Sequence, residues 1–373
     1  MRILALEPYY GGSHKAFLDG WSAAGKHEWT VLSLPAYKWK WRMRHAAVTF
    51  AEQTRRMLSQ GARWDLLLGS DMLNLAEFLG LAPREIRDLP SLLYFHENQL
   101  TYPVRMENER DYQFAMTNMT SALAASAVWF NSAFHRDSFL QALEAFLTRM
   151  PDYQPFDAVA RIQAKAEVFP PGVGVFAPRG PRTPGPMRIL WAARWEHDKN
   201  PEEFFKAAQQ LKDRRVSFRI SVIGEQFREV PEIFAQARQH LAGHIDRWGY
   251  QQDRAEYEAA LLEADVFVST AAHEFFGLSA VEATLAGAYP LVPNRLAYPE
   301  VFGRQNDGTA QEFFYEGGAK SLAARLADLA DRLASNDSLF RATEPIRVKL
   351  RRFAWPNLAP VLDDAAERIR SKT

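Results

Sequence analysis

With 373 residues the chain is long enough for two domains with ample core. Its 45 Lys and Arg balance 45 Asp and Glu, so a nucleic-acid contact has to be a local patch, and the absence of cysteine excludes disulfides, zinc thiolates and thiol nucleophiles. The apolar run at the N-terminus is too short for a signal peptide and no later stretch is long enough to span a bilayer, so a cytoplasmic protein without a membrane partner is expected.

Short apolar runs alternate with helical patterns, giving expected strands at 2–7, 29–34, 64–69, 91–96, 127–131 and 166–169 in the first half. The first runs into Pro8–Lys15, where Gly11, Gly12 and Ser13 let backbone amides approach a ligand as a helix opens; a tight turn and nothing more is the plain alternative. The loop lacks G-x-G-x-x-G spacing, which disfavours a dinucleotide redox cofactor. Next, Tyr37–His45 alternates the cations Lys38, Lys40, Arg42 and Arg44 with Trp39, Trp41 and Met43. Three readings stand: phosphate contacts with stacking on an unpaired base, an edge strand with a solvated face, or docking at a membrane surface. The fourth strand ends at His96, followed by Glu97, Asn98 and Gln99; a lone histidine is as readily structural, but this one sits where a ligand cleft is expected.

A stretch with six prolines and four glycines among residues 170–186 reads as a linker. Beyond it strands are expected at 188–192, 216–223, 265–270, 289–293 and 312–315, and a last helix over 355–370. Strand–helix alternation implies parallel sheets, hence an α/β chain of two doubly wound domains with a cleft between their strand C-termini. The boundaries are 1–174 with 355–373, a linker at 175–186, and 187–354, the last helix crossing back to the first domain.

Two loops of the second half carry chemistry. Arg194 and Lys199 lie between a strand and an amphipathic helix, where two cations can neutralise a leaving diphosphate from two sides; a surface ion-pair cluster is the alternative. No D-x-D pair is present to hold a metal. Farther on, Glu274 and Glu282 flank Gly277 at a strand-to-helix junction, a helix N-terminus suited to phosphate with a glutamate about two turns along to meet ribose hydroxyls. That spacing alone is weak and also describes two solvated glutamates.

Together these residues resemble the retaining glycosyltransferases of the GT-B fold. Within that group the strings YYGGSHK, LPAYKWKWR, LYFHENQLTYPV, RWEHDKNPEEFF, HEFFGLSAVEA and YPLVPNRLAYPEVF are similar, in order, to the tRNA-queuosine α-mannosyltransferase family over nearly the whole chain. The departure is at the linker, where animal members are expected to carry a longer polar insertion. The resemblance implies GDP-mannose as donor, Arg194 and Lys199 on its diphosphate, and Glu282 on its ribose. Glu274 and the segment Phe275, Phe276, Gly277 and Leu278 would meet mannose hydroxyls and phosphate, and Gly11, Gly12 and Ser13 would close over the donor. His96 would orient the sugar, joining Glu274, Arg194 and Lys199 as the catalytic set. Queuosine-containing tRNA would meet Lys38, Trp39, Lys40, Trp41, Arg42 and Arg44, with Asp71, Asn98 and Gln99 nearby on the acceptor side. No metal, cofactor or obligatory protein partner is expected. The rival readings are a lipid or glycan acceptor, a sugar-nucleotide epimerase or phosphorylase on the same fold, and a non-catalytic reader of modified tRNA.

Overall fold

In the computed structural model, which describes residues 1–103, 111–227, 229–303, 311–335 and 338–371, the chain forms two six-stranded parallel sheets. The first contains β1 (Arg2–Tyr10), β2 (Glu28–Pro35), β3 (Leu66–Ser70), β4 (Ser91–Phe95), β5 (Ala127–Phe130) and β6 (Ala166–Val168), in the order β2-β1-β3-β4-β5-β6. The second contains β7 (Met187–Ala192), β8 (Phe218–Ile223), β9 (Ile245–Gly249), β10 (Val266–Val268), β11 (Tyr289–Pro293) and β12 (Phe314–Tyr315), in the order β12-β11-β10-β7-β8-β9. Strand order reverses between β1 and β3 in one sheet and between β7 and β10 in the other, the places where doubly wound sheets open a crevice at their carboxyl ends.

Each sheet has apolar side chains on both faces, as buried parallel strands require. In β1, Leu4 and Leu6 join Leu67, Leu93 and Phe130 on one face with the helix α2 (Trp39–Ser59). Ile3 and Ala5 join Leu66, Leu92 and Trp129 on the other, covered by the helix α1 (Gly12–Ala24) and by the C-terminal helix Trp355–Ser371. Two compact units result: Met1–Gly172 with Phe353–Thr373, and Val173–Arg352.

The C-terminal helix is fastened to the first unit at both ends. Trp355 fills a notch so tight that a Cβ on Gly20 would lie 2.0 Å from its indole and one on Gly172 2.4 Å from it. Farther along, the buried Asp363 accepts hydrogen bonds from the Trp21 indole at 2.8 Å and the Lys26 amide at 2.8 Å.

Two expectations change. Residues from Val173 onward belong to the second unit, and the Pro/Gly stretch lies down on it because Arg182 grips the buried Asp265 bidentately at 2.9 Å, with Arg179 on the same carboxylate at 3.3 Å. The Lys38–His45 segment is no edge strand. Lys38, at φ 52, turns the chain into α2, whose inward positions Met43, Ala46, Ala47, Phe50, Ala51 and Thr54 recur at helical spacing.

Candidate active site

In the second unit the site is built around the reversal point. The loop after β7 makes a short 3-10 turn, His197–Lys199, closed by Asn200 at φ 48. It is sewn to the loop after β10: the Ala272 and His273 amides donate to the Asp198 carbonyl at 2.8 and 3.2 Å, and the Thr270 hydroxyl donates to the Lys199 carbonyl at 2.8 Å. Lys199 is buried, its ammonium donating to the His273 carbonyl at 2.8 Å and pairing with Asp198 at 3.0 Å and Glu274 at 3.4 Å. Against the cost of burial, Glu274 and Asp198 hold that ammonium above its usual range, while Lys199 in turn, against the same cost, holds the partly buried Glu274 carboxyl below its own. A small pocket opens here, lined among others by Lys199, Ser269, Glu274, Ser279 and Tyr298.

Gly277, at φ 92, starts the helix Leu278–Leu285, and a side chain there would meet the Tyr298 ring at 2.8 Å. The Phe276 amide faces Glu274 at 3.5 Å, and Phe275 and Phe276 are buried beneath the turn. Arg194 is partly exposed beside Glu196 at 3.3 Å. Glu282 comes a little over one turn into the helix, not two. Its carboxylate accepts from the Tyr257 hydroxyl at 2.7 Å and from Arg254 at 3.3 Å; burial pushes its carboxyl up, and these two partners oppose the push. Tyr257 and Arg254, both on the helix Arg254–Glu263, were not among the expected site residues.

The first unit gathers its own polar cluster where β1, β3 and β4 end. Gly11 lies where a Cβ would meet that of Ala36 at 2.4 Å, and Gly12 and Ser13 open α1 exposed to solvent. His96 follows β4 with its amide donating to Asp71 at 2.8 Å and its carbonyl accepting from Asn131 at 2.9 Å. Beneath it sits His14, whose ring lies 4.0 Å from the His96 ring and whose Nδ1 meets Glu7 at 3.1 Å. Burial alone would lower the His14 pKa, but Glu7, with Asp71 and Glu97 behind it, outweighs burial and raises it to about 9. Burial, then His14 and His135, hold His96 well below the usual imidazole value. Burial also raises Asp71 to about 8. Glu7, His14 and His96 bring ligand-type atoms within 4.8 Å of one another, yet Glu7 already serves His14, the Ser70 hydroxyl and the Tyr9 amide, which makes the group an ion pair under a tilted ring.

Of the expected acceptor residues, Asp71 and Asn98 are fully buried and turned to the loop itself: Asn98 accepts from the Leu100 and Thr101 amides at 3.0 and 2.9 Å, and Gln99 is held through its amide by Asn118 at 2.8 Å. Lys38, Lys40, Trp41 and Arg44 are exposed at the start of α2, Trp41 lying 4.9 Å from the His45 ring and Arg44 4.8 Å from the Phe114 ring. Arg42 bends back to the Pro35 carbonyl at 3.0 Å, and Trp39 packs on Phe114. Among the described residues no helix is long and apolar enough to cross a membrane.

Residues 2–173 match the family described as tRNA-queuosine alpha-mannosyltransferase N-terminal, and residues 178–337 match glycosyl transferases group 1. A tRNA-queuosine alpha-mannosyltransferase of Drosophila melanogaster is 37% identical over 316 residues, 82% of each chain. The chain belongs to the tRNA-queuosine alpha-mannosyltransferase family. It is accordingly a glycosyltransferase. A glycogen synthase of Mycobacterium tuberculosis is 25% identical over 248 residues, 62% of this chain and 59% of its own. Among solved structures, a sucrose-phosphate synthase from Thermosynechococcus elongatus superposes over 100% of both chains with a TM-score of 0.71 at 14% identity, and a glycosyltransferase from Rickettsia africae over 100% and 99% with 0.65 at 14%. At such identities they establish the fold, GT-B.

Proposed function

We propose that the protein transfers mannose from GDP-mannose to the queuosine base of tRNA with retention of configuration and without a metal ion. The observation that carries the chemistry is the buried Lys199 ammonium, fixed by carboxylates beside the N-terminus of Leu278–Leu285. A diphosphate leaving group gains negative charge as the sugar–phosphate bond breaks, and Lys199 with Arg194 and the helix-start amides answers that charge. Glu282, aligned by Tyr257 and Arg254, accepts from ribose hydroxyls. His96 faces the sugar. In front-face attack the acceptor hydroxyl bonds to the anomeric carbon on the side the diphosphate leaves, and its proton passes to a phosphate oxygen, so the protein supplies alignment and electrostatics more than acid–base chemistry. Glu274, tied to Lys199, is poorly disposed to act as a covalent nucleophile.

The acceptor is supported by the family and by the exposed cations and indole at the start of α2, which suit phosphates and an unstacked base. Radiolabelled GDP-mannose offered to total tRNA from cells that do or do not make queuosine tests the whole reading. Label is expected only in the queuosine-containing pool. Equal labelling of both pools, or transfer to lipid in preference to tRNA, overturns it.

A further inference from the structure

The imidazole beneath His96 has no place in the transfer chemistry outlined above, yet it is among the most constrained groups in the first unit. His14 is buried, and so is Glu7, its partner at 3.1 Å. Glu7 is itself fixed on β1: its other oxygen accepts from the Ser70 hydroxyl at 3.0 Å and the Tyr9 amide at 2.8 Å. The carboxylate has no freedom to turn away, and the imidazole it holds has none either. Directly against that ring, at 4.0 Å and 32°, lies the ring of His96.

We propose that His14, locked by Glu7, is the positioning residue for His96: it fixes the plane of that ring by the close, tilted contact between them and keeps it a neutral imidazole with one orientation toward the sugar. The inference rests on His96 being the sugar-facing group.

The remaining neighbours act in the same sense. The Tyr94 ring at 4.7 Å and the edge of Phe17 at 5.3 Å complete a wall around His96, while Asp71 and Asn131 hold its main chain. Among the described residues no group hydrogen-bonds the His96 ring nitrogens, and the ring is partly exposed, so those nitrogens are available to a ligand. The titratable groups facing the pair are Glu7 and Tyr9 from β1, Asp71 after β3, Tyr94 on β4, Glu97 beside His96, and His135 from the helix Ala133–Thr148. Of these, Glu7 alone touches His14 with a fixed carboxylate. A proton on His96 would place an imidazolium charge 4.0 Å from that of the buried His14, which their mutual repulsion opposes. A neutral ring held in a fixed plane can accept from or donate to a sugar hydroxyl without adding a charge that competes with the anomeric centre for the leaving diphosphate.

The experiment uses the full chain labelled with ¹³C at histidine Cε1, comparing wild type, Glu7→Gln, and the neutral double variant Glu7→Gln/His14→Phe, which keeps a ring under His96 without the charge. Two readouts are taken: the pH titration of the His96 resonance, and mannosyl transfer to queuosine-containing tRNA as a function of pH. In both variants the His96 titration should move upward, turnover at pH 6 should fall about 10- to 100-fold while donor KM changes little, and an acid limb should appear in the pH–rate profile. An unmoved His96 titration in the double variant overturns the proposal, as does displacement of both ring resonances by one equivalent of Zn²⁺, which would make the cluster a metal site. A moved titration with unchanged turnover leaves His14 in control of His96 and overturns instead the assignment of His96 to the sugar. Should Glu7→Gln fail to fold, the double variant, in which no buried charge is left unpaired, still decides the matter.

Discussion

Replacing Lys199 by Ala separates two roles that one side chain holds. Its ammonium lies 3.0 Å from Asp198 and 3.4 Å from Glu274, with only 10% of the side chain exposed. At an effective dielectric of about 20, a unit charge pair at such a distance is worth roughly 5 kcal/mol before desolvation, and removing one partner of a buried pair costs about 3–5 kcal/mol because the other is left uncompensated. The second unit is therefore expected to melt roughly 6–20 °C lower in Lys199→Ala. Turnover should fall about 10²- to 10³-fold if the same ammonium answers the leaving diphosphate. The companion Lys199→Met/Glu274→Gln removes a cation and a carboxylate together, and differential scanning calorimetry should show part of the lost stability restored while transfer of radiolabelled mannose stays low. Wild-type turnover in Lys199→Ala, or a double variant that regains activity along with stability, would refute the assignment of Lys199 to the diphosphate.

Glu282→Ala should raise the donor KM more than it lowers kcat and weaken GDP binding measured by calorimetry, with Tyr257→Phe giving a change in the same direction of about tenfold; unchanged GDP affinity in both would remove Glu282 from the ribose. Changing Lys38, Lys40 and Arg44 to Ser should lower the log–log salt dependence of tRNA binding by about 0.7 to 0.9 per phosphate contact, and Trp41→Ala should weaken binding at every salt concentration, whereas tRNA gel shifts equal to wild type would leave α2 a plain surface helix. EDTA is expected to leave turnover untouched. The folded-state values of His14, about 9, and Asp71, about 8, both lie above their ordinary 6.5 and 3.8, so the folded first unit binds more protons and loses stability as pH rises from 6.5 to 9. Chemical denaturation should show a loss on the order of 5 kcal/mol over that range, about 3 of it from His14 and about 2 from Asp71, muted in His14→Gln; a flat profile would dissolve the buried pair.

The alternating pattern was legible because the central parallel strands β3, β4, β5, β10 and β11 are buried on both faces and so read as uninterrupted apolar runs. β9 was not, for Ile245-Asp246-Arg247-Trp248-Gly249 is an edge strand whose charges pair with Arg219 and Glu263 across its neighbours. Nine residues were too narrow a window for Tyr37–His45: the helical period is carried by Met43, Ala46, Ala47 and Phe50 and emerges only past its end. The loop positions of Arg194, Lys199, Glu274 and His96 follow from strand ends, which sequence locates well. Tyr257 and His14 escaped notice for another reason. They act on a glutamate from 25 and 7 residues away through pairings that only the packed sheet creates, and a tyrosine on a helix or a histidine after a glycine pair carries no local signal of it.

The notch that Gly20 and Gly172 form for Trp355 also bears on how the protein is made. Residues at the very end of the chain cover the sheet face that carries Ile3, Leu66, Leu92 and Trp129. A ribosome that has finished Gly172 has therefore delivered a sheet with one side covered by α1 alone, and at about 5–20 residues per second it needs on the order of ten to forty seconds to synthesise Val173–Arg352 before the missing helix emerges. The later half of the protein can close as soon as it is out, whereas the earlier half has to wait, which inverts the usual N-to-C order of maturation. During that wait the nascent chain presents an apolar surface of the kind chaperones hold, and a message truncated before Phe353 would yield a first unit that never ceases to need them.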